Sequence, residues 1–120
     1  LMERSIEVYT QAANYGVAEV TTASTYRIAE IYRDFSRGLF NSERPKGLSP
    51  DELEQYELLL EEQAYPFEEK AINIHETNAS RSYDGVYDEW VKKSFNALKK
   101  LQPFRYAKNE RSELVSQVIN

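Results

Sequence analysis

Between Leu53 and Asn78 the chain carries an apolar stripe, Leu53, Tyr56, Leu60, Ala64, Phe67, Ala71, Ile74 and Asn78, always three or four residues apart. That spacing keeps every member on one side of an α-helix, so about seven turns can lie against a partner while the charged side meets water. The start of this helix is written in Ser49-Pro50-Asp51-Glu52, a capping box. The Ser49 hydroxyl accepts from the amide of residue 52, and Glu52 reaches back to the amide of residue 49. Pro50 loses nothing at the first helical position, and Asp51 with Glu52 complements the positive end of the helix dipole. Pro66 lacks an amide hydrogen and crowds the carbonyl one turn earlier. Because the stripe keeps its phase across Pro66, the pattern predicts one kinked helix from Pro50 to about Ser82, with a break after Ala64 as the alternative.

Periodicity places three more helices around it. Met2, Ile6, Tyr9 and Ala13 share one side of a first helix from Leu1 to about Asn14, with Gly16 positioned to end it. Val17, Val20, Ser24, Ile28, Ile31 and Phe35 mark a second, from about Ala18 to Arg37, which the short joint would fold back on the first. Gly38, Asn41, Ser42, Pro45 and Gly47 form a loop. After the turn signal Asp84-Gly85, Tyr87, Trp90, Val91, Ser94, Leu98 and Leu101 give a fourth helix from about Val86 to Leu101, with Lys99 and Lys100 in its last turn and Pro103 as its stop. This frames a helical domain over 1–103 and a tail over 104–120, where Leu114, Val115, Val118 and Ile119 suffice for a short amphipathic helix. Leu1-Met2-Glu3-Arg4 reads as the middle of a helix, as expected of a piece of a longer protein whose targeting signal, if any, lies upstream.

Composition narrows the chemistry. A chain of 120 residues can bury one core without staples. With no Cys, disulfides, thiolate zinc sites and cysteine nucleophiles are excluded. No apolar run approaches the roughly 20 residues that cross a bilayer, so membrane insertion is not expected of this segment. The net charge of -5 hides a polarity: eight carboxylates and no base from Asp51 to Glu69, then seven bases against Glu110 alone from Trp90 to Arg111. The acidic helix would oppose the phosphate field that drives nucleic-acid binding, so nucleic acid is not an expected partner. The charges are either two solvated faces or surfaces that attract within the molecule or between copies.

Catalytic groups are few. His75 is the only histidine; a zinc-peptidase helix needs His four residues later, where Ala79 stands, and a di-iron bundle needs Glu three residues earlier, where Ile72 stands. The expected role of His75 is that of a partly buried polar residue between helices. Glu68 and Glu69 point about 100° apart and cannot flank one bond. There is no Gly-rich phosphate loop, and neither Ser24 nor Ser94 has a plausible base. Asn78-Ala79-Ser80 matches a glycosylation acceptor but sits mid-helix. No catalytic residue, cofactor or metal is therefore expected. Nine Tyr in the chain suit surfaces that bind.

Ile28-Ala29-Glu30-Ile31-Tyr32 resembles the helix A core of a tetratricopeptide repeat (TPR), and Ala71, His75 and Asn78 take the helix B spacing with His and Asn as departures. Ser5, Tyr9 and Ala12 look like the helix B of a preceding repeat, and Trp90 falls within one residue of the next helix A's large position. Tyr32 to Ala71 is about 30 residues longer than the repeat allows, so the central hairpin would be an enlarged repeat. The runs 24–32, 52–72 and 84–91 also resemble the C-terminal region of large TPR proteins of the Gram-negative cell envelope, often associated with TonB/ExbB/ExbD-type energy-transducing or motility machinery. The resemblance implies an all-α fold of antiparallel hairpins acting as a non-enzymatic, periplasmic or envelope-associated scaffold for protein partners. In its register Tyr26, Glu30, Arg33 and Arg37 form the ligand-facing stripe of helix A. The rival expectation is a homo-oligomer formed through the acidic third and basic fourth helices.

Overall fold

A computed structural model describes residues 2–102, with side-chain surroundings from residue 6 onward. Three α-helices and one 3-10 turn account for its regular structure: α1 (Met2–Phe40), α2 (Pro50–Ser80), the 3-10 turn Arg81–Asp84, and α3 (Glu89–Leu101). Among the described residues there is no strand, so the all-helical expectation holds. The tail over 104–120, with its expected short helix, lies outside the described residues.

The first two expected helices are one. Gly16 sits inside α1, and only Gly47 and Gly85 take positive φ, so the left-handed end expected at Gly16 is not formed. A glycine costs a helix interior about 1 kcal/mol, too little to stop it without a cap for a new helix to start on. Instead the Thr10, Thr21 and Thr25 hydroxyls bond back to carbonyls four residues earlier, at 2.9, 3.0 and 2.7 Å, and the helix runs on.

α2 begins as the capping box dictates, with the Glu52 amide donating to Ser49 Oγ at 3.2 Å and the Ser49 amide to Glu52 Oε1 at 3.4 Å. It continues through Pro66 without a break, which removes the alternative end after Ala64. Its stripe faces inward: Leu60, Ala64, Ala71 and Asn78 are buried, and Leu53, Tyr56, Phe67 and Ile74 half-buried. The loop before it is pinned by Arg44, which donates to the carbonyls of Phe40 and Ser42 at 2.7 and 2.6 Å and lies 3.7 Å from Glu57. α3 starts at Glu89 instead of Val86 because Asp88 caps it, accepting from the amides of Trp90 and Val91 at 3.0 and 2.9 Å.

α1 and α2 run antiparallel. Ser36 meets Ala64, Phe35 meets Phe67, Glu30 meets His75 and Thr22 meets Asn78, a march in opposite directions along the two chains. α3 closes over the far end of α2, where Ala79, Val91, Phe95 and Leu98 form the buried apolar cluster, with Ile72, Val86 and Tyr87 packed on it. The body is long and thin, 77 × 26 × 15 Å.

The apolar stripe expected to pack α1 faces the wrong way. Val17, Val20 and Ile31 are 68%, 66% and 66% exposed, and Phe35 reaches α2 only at the seam's edge, against Phe67, while the buried side is Thr22, Ala29, Arg33 and Ser36. The reason is the surface α2 offers. Ala64 and Ala71 let the helices approach closely, and Thr22, Ser36 and Asn78 find hydrogen-bond partners in the seam. A close, hydrogen-bonded seam therefore replaces the expected greasy one. From residue 6 to Val17 every α1 side chain is exposed, because α2 ends before reaching that far.

A sealed polar network as the candidate functional site

The side chains with the most chemistry converge where all three helices meet. Asn78 and His75 project from α2, Thr22, Tyr26, Glu30 and Arg33 from α1, and Asp88 and Ser94 from α3 and its cap. Asn78 Nδ2 donates its two hydrogens to Ser94 Oγ at 2.9 Å and to the Thr22 carbonyl at 3.1 Å, with the Trp90 carbonyl at 3.3 Å sharing one of them, while its Oδ1 accepts from Arg81 at 3.0 Å. One residue thus ties all three helices together. Thr22 adds a second tie by donating to Asp88 Oδ2 at 2.6 Å.

His75 is fully buried, with Nδ1 at 3.0 Å from Ser94 Oγ and Nε2 at 3.5 Å from Glu30 Oε2. Because Ser94 already accepts from Asn78, its own hydrogen is free to point at Nδ1. The neutral ring then carries its proton on Nε2, toward Glu30. Glu30 also accepts from the Tyr26 hydroxyl at 3.1 Å and lies 3.6 Å from the Arg33 guanidinium. Burial, and then the Glu30 carboxylate, push the Tyr26 phenol above its ordinary value. The ring of Tyr26 packs on His75 and Trp90, with centroids 5.6 and 5.7 Å away. Outside, Arg27 and Lys93 lie 5.3 and 4.3 Å from the Trp90 ring centre, screening it from water.

No protein-family model, curated protein or solved structure matches this chain.

Glu30, His75 and Ser94 are the ingredients of a carboxylate–imidazole–hydroxyl relay, and here the expectation that Ser94 has no base is corrected: His75 reaches it from another helix. Activation alone does not make a nucleophile useful. Ser94 and His75 expose no surface, and neither borders the two cavities along α2, so Oγ is closed to a substrate carbonyl in this arrangement. The burial of His75 is complete where a partial one was expected. Among the described residues, no three His, Asp or Glu side chains are grouped to hold a metal ion. The buried Asn78 amide is likewise closed to modification at Asn78-Ala79-Ser80.

Of the four residues expected to face a ligand, Tyr26, Glu30 and Arg33 do share one side of α1, but that side looks into the seam and Arg33 is only 8% exposed. Arg37 is exposed. It and Arg33 border a cavity of about 500 Å³ between the end of α1 and the middle of α2, with Phe40, Ala64 and Tyr65 as its apolar lining. A second cavity of about 470 Å³ continues along α2 past Ile72 and Glu76 to Gln102, sharing Tyr65, Glu68 and Leu101 with the first.

Burial has a consequence for pH. Desolvation lowers the His75 pKa from 6.5, partly opposed by Glu30, so between that ordinary value and the lowered one the unfolded chain binds more protons than the folded one. Stability is fully present above about pH 6.5 and is lost as pH falls through the window below it. Urea midpoints at pH 7.5 and 5.5 should show the drop, and His75→Gln should flatten it. An unchanged slope in that variant assigns the drop to other groups.

Proposed function

We propose that this chain is a non-enzymatic protein-interaction scaffold of TPR-like type, an enlarged antiparallel hairpin kinked at Pro66, serving a bacterial envelope complex. The observation that carries the reading is the division of labour between faces. The groups with catalytic potential are sealed in the seam, whereas large apolar side chains of α1 (Val17, Val20, Ile31) stand in solvent. A surface of that kind recognises proteins by contact area. Energy-transducing or motility components of the periplasm are the partners the sequence resemblance suggests, with Arg37, the exposed member of the stripe Tyr26, Glu30, Arg33 and Arg37, as the contact residue. No helix among the described residues is long and apolar enough to cross a membrane.

Arg37 gives the sharpest test because it is exposed and its loss costs little folding energy. Arg37→Ala should weaken capture of envelope partners by the full-length protein about tenfold, corresponding to roughly 1.4 kcal/mol, with the melting temperature unchanged. Unchanged capture by Arg37→Ala and by Tyr26→Ala/Arg33→Ala together would place the contact stripe elsewhere. The second reading, a homo-oligomer formed by the acidic α2 and basic α3 of neighbouring copies, is favoured by one observation. Seven of the eight carboxylates from Asp51 to Glu69 are exposed, all but half-buried Glu68, as are Lys92, Lys93 and Lys100. Only that reading gives a sedimenting mass that falls as salt is raised.

A further inference from the structure

The two cavities along α2 form one groove, and the described chain ends on its rim. Leu101 borders both halves, and Gln102 leaves the helix with φ -141 and ψ 71 while bordering the second. We infer that this groove is the seat of the chain's own continuation, residues 103–120, packed against α2 between Glu61 and Glu76. The inference is independent of the scaffold reading.

Three observations select this occupant. The first is connection: a segment tethered at Gln102 needs no encounter in solution, so its effective concentration in the groove is in the millimolar range for so short a tether. The second is reach. Residues 104–111 extended span about 26 Å, and the helical rise from Glu61 to Glu76 is about 22 Å, so a strand-like segment starting at Gln102 reaches either end of the groove. The third is complementarity. Glu61, Glu68, Glu69 and Glu76 border the groove around Tyr65, Ile72 and Leu101, whereas 103–111 offers Arg105, Lys108 and Arg111 against one acid and leads with Phe104 and Tyr106. Tyr65, 62% exposed between the two cavities, is the aromatic surface such a segment would cover.

The absence of native cysteine allows a direct test. In the full chain, Asn73→Cys on the groove wall is paired with Ala107→Cys or Asn109→Cys, and Thr21→Cys on the outer side of α1 serves as the control partner. Under mild oxidation an intramolecular disulfide should form with Asn73→Cys at least tenfold faster than with Thr21→Cys. Reversing Glu68 and Glu69 to Lys should slow it severalfold, and adding Arg105→Glu with Lys108→Glu should restore it. Equal rates with Asn73→Cys and with Thr21→Cys would overturn the inference. So would disulfide-linked dimers in place of intramolecular bonds, which would give the groove to a second copy.

Discussion

Asn78→Leu should cost about 2–4 kcal/mol of unfolding free energy, more than most single changes in this chain. The leucine keeps the branching at Cγ and the number of heavy atoms but removes an amide that donates to Ser94 Oγ and to the Thr22 and Trp90 carbonyls, and an oxygen that accepts from Arg81. The acceptors are left in a seam where Thr22 and Ser94 have almost no access to water, so their lost partner is not replaced by solvent. The same change frees the Ser94 oxygen that fixes the proton position on His75, loosening the link to Glu30. Urea unfolding followed by the emission of Trp90, the one tryptophan, reads the loss directly. The expected signature is a lower midpoint at an unchanged slope. Ser94→Ala alone should cost about 1 kcal/mol, and the double variant less than the two losses together, because both remove the same bond. A loss under about 0.5 kcal/mol for Asn78→Leu would mean that the three helices are held by apolar contact alone.

The sequence made this network only half legible, and for a physical reason. The phase of α2 was readable because one stripe and one capping box agreed, and Asn78 in that stripe, like Ser94 on the apolar side of α3, marked a polar residue at a buried position. What periodicity does not carry is which helix brings the partner. His75 and Ser94 lie 19 residues apart on two helices, and no spacing encodes their meeting. Gly16 marks a helix end only where a capping residue follows to start the next helix, and none stands directly after it. Asp88 falls in phase with the helix it caps, so periodicity alone starts α3 too early. On α1 the apolar positions do not mark the inner side. The opposite phase, Thr22, Ala29 and Ser36 seven residues apart, was also present, and small residues at that interval permit the close approach that α2 then uses.

The face assignment of α1 can be tested against the core of α3 by one pair of substitutions in the isolated chain. Leu98→Ala should cost about 3 kcal/mol, since Leu98 is fully buried among Val91, Phe95 and Ala79 and its removal leaves a cavity that rigid helices cannot close. Ile31→Ala, an equal loss of side chain by composition, should change stability by no more than about 0.5 kcal/mol because Ile31 is 66% exposed. A hydropathy reading of the same positions expects two similar losses, as both residues sit in apolar stripes. The ratio of the two therefore separates pattern from packing. If Ile31→Ala costs more than about 1 kcal/mol, the outer face of α1 is covered in solution, and the division between a sealed seam and an open apolar surface fails with it. If Leu98→Ala costs less than that, α3 is not docked on α2, and the network that depends on Ser94 and Asp88 loses its third side.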